Sequence, residues 1–310
     1  MVLLSKKDNV IYQKALGEFE SPKISSQFVI GSVSKQFTAV LILRLVERGL
    51  IELKDPVGKY CPDLTGNWDS PVQISHLLNH TSGISEYNKP LAFNPGSDFL
   101  YANANYDILG QIIEKVTSIN YSTHLEDLFK ELGMHASIAP SFLDINKVKA
   151  QYPDFVVGNV TTEEGAQLPS IGEVSLSAGG IVTTCHDLVS WTLALHNGKV
   201  LETKMYQEMV STKVKNKNNR WGEVGYGYGI QIDHTDNLIE IGHSGILAGY
   251  IATLLYYPQH KITLVILENQ ILWPKTWSIR QKQEIFKNHD SLRAIIRKHL
   301  LPSKEPFAHQ

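Results

Sequence analysis

Strand-patterned segments stand at both ends of this 310-residue chain, with a long helix-patterned stretch between them. Residues 1–17 read as two strands, with Lys6-Lys7-Asp8-Asn9 as the turn of a hairpin. Strand patterns return at Gly229 to Asp233, Leu238 to Ile241, Ala248 to Tyr257 and Lys261 to Glu268; Tyr257-Pro258-Gln259-His260 reads as the last hairpin turn. Lys35 to Arg48 is an apolar, helix-forming run ending at Gly49, a good C-cap. From Asp55-Pro56 to about Pro169 the pattern is helical with long loops, including Ile74 to Asn79, Asn105 to Val116 and Thr123 to Leu132. Cys185 to Asn197 predicts another helix, with Asp187 in its acidic first turn, and Lys275 to Leu300 predicts one or two closing helices. The chain is therefore expected to be α/β (α+β): an antiparallel sheet completed late and flanked by helices. The α/β part would span about 1–55 and 175–310, and an inserted all-helical part about 56–174.

Ser32 and Lys35 stand where an apolar run enters the first helical pattern, in Ile30-Gly31-Ser32-Val33-Ser34-Lys35-Gln36-Phe37. A Ser and a Lys at this spacing share one helix face. A helix start favours negative charge on a serine oxygen and on an attacked carbonyl, and a nearby lysine can receive the serine proton. Alone the pair says little, since chance supplies about one in a chain of this length. Two further motifs follow in order: Tyr101-Ala102-Asn103, and His243-Ser244-Gly245 after the strand-like Leu238 to Gly242.

Together these three motifs resemble the serine β-lactamase and penicillin-binding protein superfamily. The Tyr-Ala-Asn form is similar to its class C branch, with the related D,D-peptidases, D-aminopeptidases and esterases. Leu77-Leu78-Asn79-His80-Thr81-Ser82-Gly83-Ile84, Ala178-Gly179-Gly180-Ile181 and Tyr226-Gly227-Tyr228-Gly229 have counterparts there too, so the resemblance runs from about Phe28 to about Asn269. It implies a single β-lactamase/transpeptidase-like catalytic domain, with the site between the α/β part and the helical part. It also implies a serine hydrolase. Ser32 would be the acylated nucleophile and Tyr101 the general base, its pKa lowered by the charge of Lys35. Asn103 would bond Lys35 and the substrate. His243, Ser244, Gly245 and Ile246 would bind substrate, with the N–H groups of Ser32 and Ile246 as the oxyanion hole. Neither a cofactor nor a metal is implied. The substrate would be a small ester, peptide or β-lactam; a non-turnover penicillin or peptidoglycan sensor, or a degenerate scaffold, is the alternative.

Class C β-lactamases normally carry lysine where His243 stands. A histidine there is mostly neutral at pH 7. This predicts a preference for neutral esters or amides over anionic β-lactams, relieved towards pH 6 as His243 protonates.

Composition fits an ordinary soluble enzyme: 43% hydrophobic and 19% charged residues, with a net charge of -2 that gives no reason to expect nucleic acid or an anionic membrane as partner. The apolar run from Thr38 to Leu45 is far too short for a transmembrane segment of ~20 residues. The two cysteines, Cys61 and Cys185, are too few for a disulfide framework. A basic, apolar leader is not apparent at Met1, which predicts a cytoplasmic protein as the sequence stands, or a periplasmic or secreted one if the N-terminus is truncated. His76 and His80 are four apart on a helical pattern, but His76-Leu77-Leu78-Asn79-His80 lacks the glutamate of a zinc protease. Lys213, Lys215, Lys217 and Arg220 read as a solvated basic loop, or as a rim that attracts anions.

Overall fold

The structure, a computed structural model, describes residues 1–17, 22–66, 68, 70–87, 89–140, 144–162, 165–167 and 175–301. The first half of the chain holds the hairpin β1 (Val2–Lys6) and β2 (Asn9–Lys14), the short β3 (Phe28–Val29), and helices α1 (Lys35–Glu47), α2 (Ile74–Leu78), α3 (Asn103–Thr117), α4 (Tyr121–Glu131) and α5 (Ile145–Gln151). Next come β4 (Asn159–Thr162), β5 (Gly165–Gln167), β6 (Val182–Thr183), α6 (Cys185–His196) and α7 (Thr203–Met209). The C-terminal third supplies β7 (Val214–Asn219), β8 (Gly222–Tyr226), β9 (Gln231–Asp233), β10 (Glu240–Leu247), β11 (Tyr250–Tyr257), β12 (Ile262–Glu268), β13 (Gln270–Leu272), α8 (Ile279–Ile285) and α9 (Lys287–Leu300).

Eight strands form one antiparallel sheet in the order β2-β1-β12-β11-β10-β9-β8-β7. The N-terminal hairpin thus joins strands made more than two hundred residues later, Val2 lying opposite Ile266. The central strands are buried on both faces, and their alternation divides the core. Leu3, Leu254, Val265 and Leu267 pack with α1 and α6. Leu255, Leu264 and Ile266 point the other way, onto Leu292 and Ile296 of α9. Arg293 pairs with Asp233 and Glu240, each at 2.6 Å, and Arg297 pairs with Glu240 and Asp236, so α9 is tied to β9 and β10.

α1 is the central helix. Ten of its thirteen residues are buried, including Phe37, whose ring stacks on Trp191 at 3.9 Å. It ends at Gly49 with φ 69°, the left-handed stop expected of a C-cap glycine.

The middle of the chain is helical but not wholly so. β4 and β5 pair with each other and, through β4, with β13, so the expected all-helical insertion contains a strand pair. These strands are four and three residues long, below what alternation can reveal. The expected boundary near 174 falls on residues outside the described set. Among the described residues no helix is long and apolar enough to cross a membrane. Cys61 and Cys185 are both buried free thiols.

Candidate active site

β3 carries the chain directly into the Ser32 turn. Phe28 and Val29 pair with Thr183 and Val182 of β6, and Ile30 N–H donates to Ile181 O at 3.0 Å. The chain then turns sharply: Gly31 has φ 52°, and Gly31–Ser34 form a 3-10 turn before α1 begins at Lys35. Ser32 is therefore one turn ahead of the α-helix rather than in its first turn.

β10 comes against this turn edge-on. β9 pairs with β10 only over Glu240 to Gly242, and beyond that point the same edge faces the Ser32 turn. Two glycines make the approach possible. A Cβ on Gly31 would lie 2.8 Å from Ile246 N, and one on Gly245 would lie 1.9 Å from Ile30 O and 2.9 Å from Ser32 N. Gly245→Ala should therefore force β10 away from the turn. Overpacking of this kind costs about 1–3 kcal/mol, and a displaced catalytic geometry costs about 100-fold in rate. Urea unfolding and ester turnover measure the two effects; a variant unchanged in both would show that this contact does not constrain the site.

Lys35 is fully buried. Its Nζ lies 2.8 Å from Asn103 Oδ1, 2.7 Å from Ala178 O and 3.1 Å from Ser32 Oγ. Burial lowers its pKa to about 7, against the opposing charge of Asp107. Asn103 is the first residue of α3, two positions after Tyr101, and its side chain meets Lys35.

Tyr101 is 38% exposed, its ring bordering the open cleft. The Lys35 Nζ lies 5.1 Å from the ring centroid. Burial around the phenol pushes its pKa up, and a hydrogen bond with Ser32 opposes this only in part. The expected lowering of the Tyr101 pKa by Lys35 is therefore not what the burial pattern gives: burial drives Lys35 towards neutrality and works against ionisation of the Tyr101 phenol, although its ring keeps an open edge on the cleft.

His80 packs its ring against Tyr101 at 4.2 Å and Tyr226 at 5.1 Å. Its Nδ1 accepts from Ala102 N at 3.4 Å and faces Asn105 Nδ2 at 3.0 Å, so the proton of the neutral ring sits on Nε2. Asn105 is oriented in turn by Ser82 Oγ, which donates to its Oδ1 at 2.7 Å. His76 Nδ1 accepts instead from Gln73 N, closing the start of α2. The two histidines thus serve separate local structures.

His243 lines the cleft but is only 2% exposed. Its Nδ1 lies 2.6 Å from Ser244 O and must donate, so Nε2 accepts from the Tyr226 hydroxyl at 3.0 Å. Burial, aided by the charges of Lys35 and Arg220, lowers its pKa to about 3. Burial therefore works against the expected protonation towards pH 6 and favours a neutral ring in that range.

Positive charge enters the cleft elsewhere. Arg220 belongs to the run expected to be a solvated loop, but that run forms β7 and the turn into β8. Lys213 and Lys215 pair with Glu208 and Glu223, whereas Arg220 turns inward. Its side chain is 6% exposed, its Nε lies 3.0 Å from Asp290 Oδ1, and its Nη2 donates to Ser244 Oγ at 3.0 Å. The cleft, about 570 Å³, is lined by Ser32, Tyr101, Asn103, Arg220, Ile246 and Lys282, among others.

Ser32, Lys35, Tyr101, Asn103, His243, Ser244 and Ile246 thus lie together around one cleft, with Gly245 at its edge. Sequence reasoning missed the Ala178 carbonyl and the ring of His80, and held Arg220 only as one member of a basic run that was either a solvated loop or an anion-attracting rim. What singles Arg220 out in that run is its being the one arginine among lysines and asparagines, followed by Trp221.

A family model described as Beta-lactamase matches residues 2–280. Penicillin-binding protein 4* of Bacillus subtilis (strain 168) is 25% identical, over 87% of this chain and 67% of its own length. Protein flp of Staphylococcus aureus (strain NCTC 8325 / PS 47) is 26% identical, over 86% of this chain and 59% of its own. This chain therefore spans only part of either relative. Among solved structures, the octameric penicillin-binding protein homologue from Pyrococcus abyssi superposes with a TM-score of 0.78 at 25% identity, over 93% of this chain and 73% of that one.

Proposed function

Because the chain belongs to the Beta-lactamase family, we propose that it is a serine hydrolase that cleaves an ester, amide or β-lactam through an acyl-enzyme on Ser32. The observation that carries this reading is the bonding of Lys35. A neutral amine has two N–H donors and one lone pair. Asn103 Oδ1 and Ala178 O can only accept, so in the neutral amine they take both donors and leave the lone pair for the Ser32 hydroxyl at 3.1 Å, whereas in the ammonium form the third N–H donates to Ser32 Oγ. That is the geometry of a base aimed at a nucleophile.

Lys35 then receives the Ser32 proton as Oγ bonds to the substrate carbonyl carbon. The N–H groups of Ser32 and Ile246 hold the developing oxyanion; fixed donors of this sort contribute about 3–4 kcal/mol each. As the tetrahedral intermediate collapses, the leaving group takes a proton from the Tyr101 phenol, and Lys35 returns one to Tyr101. Water repeats the sequence in reverse roles and frees Ser32. Arg220 and Lys282 line the cleft, and no carboxylate does among the described residues. With Arg220 already paired to Asp290, this disfavours cationic substrates and leaves the choice between neutral and anionic ones to experiment.

Steady-state turnover tests the reading. Many turnovers per Ser32 with an ester or β-lactam support a hydrolase, whereas one stoichiometric burst followed by silence supports a sensor that acylates and stalls. Tyr101→Phe should keep the fold, with its melting midpoint within a few degrees, and lose about 10²–10⁴-fold in rate. A proton donor matters most when the leaving group is poor. The loss should therefore be larger for an alkyl ester than for a p-nitrophenyl ester; an equal loss on both would remove Tyr101 from that role.

A further inference from the structure

The chain just after β13 brings Trp273 and Trp277 to the mouth of the same cleft. They are 40% and 46% exposed, and their rings meet edge-to-face, with centroids 5.3 Å apart and planes at 89°. Tryptophan has a large apolar surface, and two left in water side by side are costly unless something covers them. Their position is not a random one. Phe99, Tyr101, Trp273, Trp277 and Phe286 make five of the nineteen residues that line the cleft, while aromatic residues are 9% of the chain. Two perpendicular rings form a corner: a flat ring entering it can stack on one indole and meet the edge of the other. An alkyl chain would gain only area, and a cation would enter a cleft already holding Arg220 and Lys282.

We propose that Trp273 and Trp277 form an aryl subsite, so that the preferred substrate carries an aromatic ring beside the bond that is cleaved. This deepens the serine-hydrolase reading and rests on it for the word substrate. The ring can belong to the acyl part or to the leaving alcohol or amine, and the two are separable by experiment.

Three esters suffice, followed by pH-stat: ethyl acetate, ethyl phenylacetate with its ring on the acyl side, and benzyl acetate with its ring on the leaving side. The wild type is expected to favour one aryl ester over ethyl acetate by about tenfold in kcat/KM, the range of a good ring–ring contact plus burial. Trp273→Ala/Trp277→Ala should erase that preference while leaving ethyl acetate within about twofold. Trp277→Leu keeps apolar area without a ring, and should lose most of the preference too. Calorimetric titration with phenylacetamide and acetamide adds a readout free of turnover: phenylacetamide should bind the wild type and not the double variant, and acetamide neither. The subsite is refuted if the double variant keeps the aryl preference, or if phenylacetamide binds it as well as the wild type. If no ester turns over, yet phenylacetamide binding depends on the two indoles, the hydrolase reading fails and the aryl site stands.

Discussion

Ser32→Ala is expected to lose at least about 10⁴-fold in turnover while folding normally, the scale seen when a covalent nucleophile is removed. The prediction is sharp because the change is small. Ser32 is half-buried, and its Oγ takes only one of the three bonds that hold the Lys35 Nζ. Removing it leaves Lys35 bonded to Asn103 and Ala178, and leaves the Gly31–Gly245 approach untouched. A thermal midpoint close to that of the wild type, beside an abolished rate, would separate chemistry from folding. A fluorophosphonate should label the wild type once, on the peptide carrying Ser32, and should not label the variant. Retained hydrolysis in Ser32→Ala, or an adduct mapped to another serine, would sink the acyl-enzyme.

How far the sequence reached depends on where each contact is encoded. Ser32 and Lys35 were legible because helical spacing alone brings the two together, and Asn103 because it follows Tyr101 at a fixed step. The third partner of Lys35 is a backbone carbonyl, at Ala178, which any residue type would supply. The central strands were legible as apolar runs, since β11 and β12 are buried on both faces. β10 was expected to end at Ile241 but continues to Leu247, through Gly242 and Gly245. Glycine argues against a strand by propensity, yet here it is required by the close approach of Leu254 O and Ile30 O. β7 was missed for a different reason. Val214-Lys215-Asn216-Lys217-Asn218-Asn219 has no apolar alternation, and it is a strand because β8 pairs with it at the sheet edge. The expected pKa directions of Lys35 and Tyr101 are reversed because pKa depends on burial, and burial belongs to the folded neighbourhood rather than to the motif.

That reversal leads to the second large effect, on Lys35. If the neutral amine is the base, wild-type kcat/KM should rise with pH through about 7, the value to which burial lowers this lysine, and flatten above it. Lys35→Met removes the base while keeping an unbranched apolar stem of similar length, and should cost about 10²–10⁴-fold. Its residual rate should no longer show that acid limb. Stability supplies an independent signature. The ordinary lysine value is 10.5, so between about pH 7 and 10.5 the unfolded chain binds a proton that the folded one has released. Wild-type stability therefore rises with pH across this window as far as Lys35 is concerned. Below about 7 the penalty for holding a buried ammonium is present in full, and above 10.5 it is gone. Methionine carries no such penalty. The stability of Lys35→Met relative to wild type should therefore be greatest at or below neutrality and fall steadily towards pH 10.5. Urea midpoints taken at several pH values measure that slope. A flat difference would mean that Lys35 keeps its ordinary pKa in the folded protein, and a base with that pKa would be almost wholly protonated at neutral pH. The acid limb and the stability slope stand or fall together, because both depend on the one amine that Asn103 and Ala178 hold against Ser32.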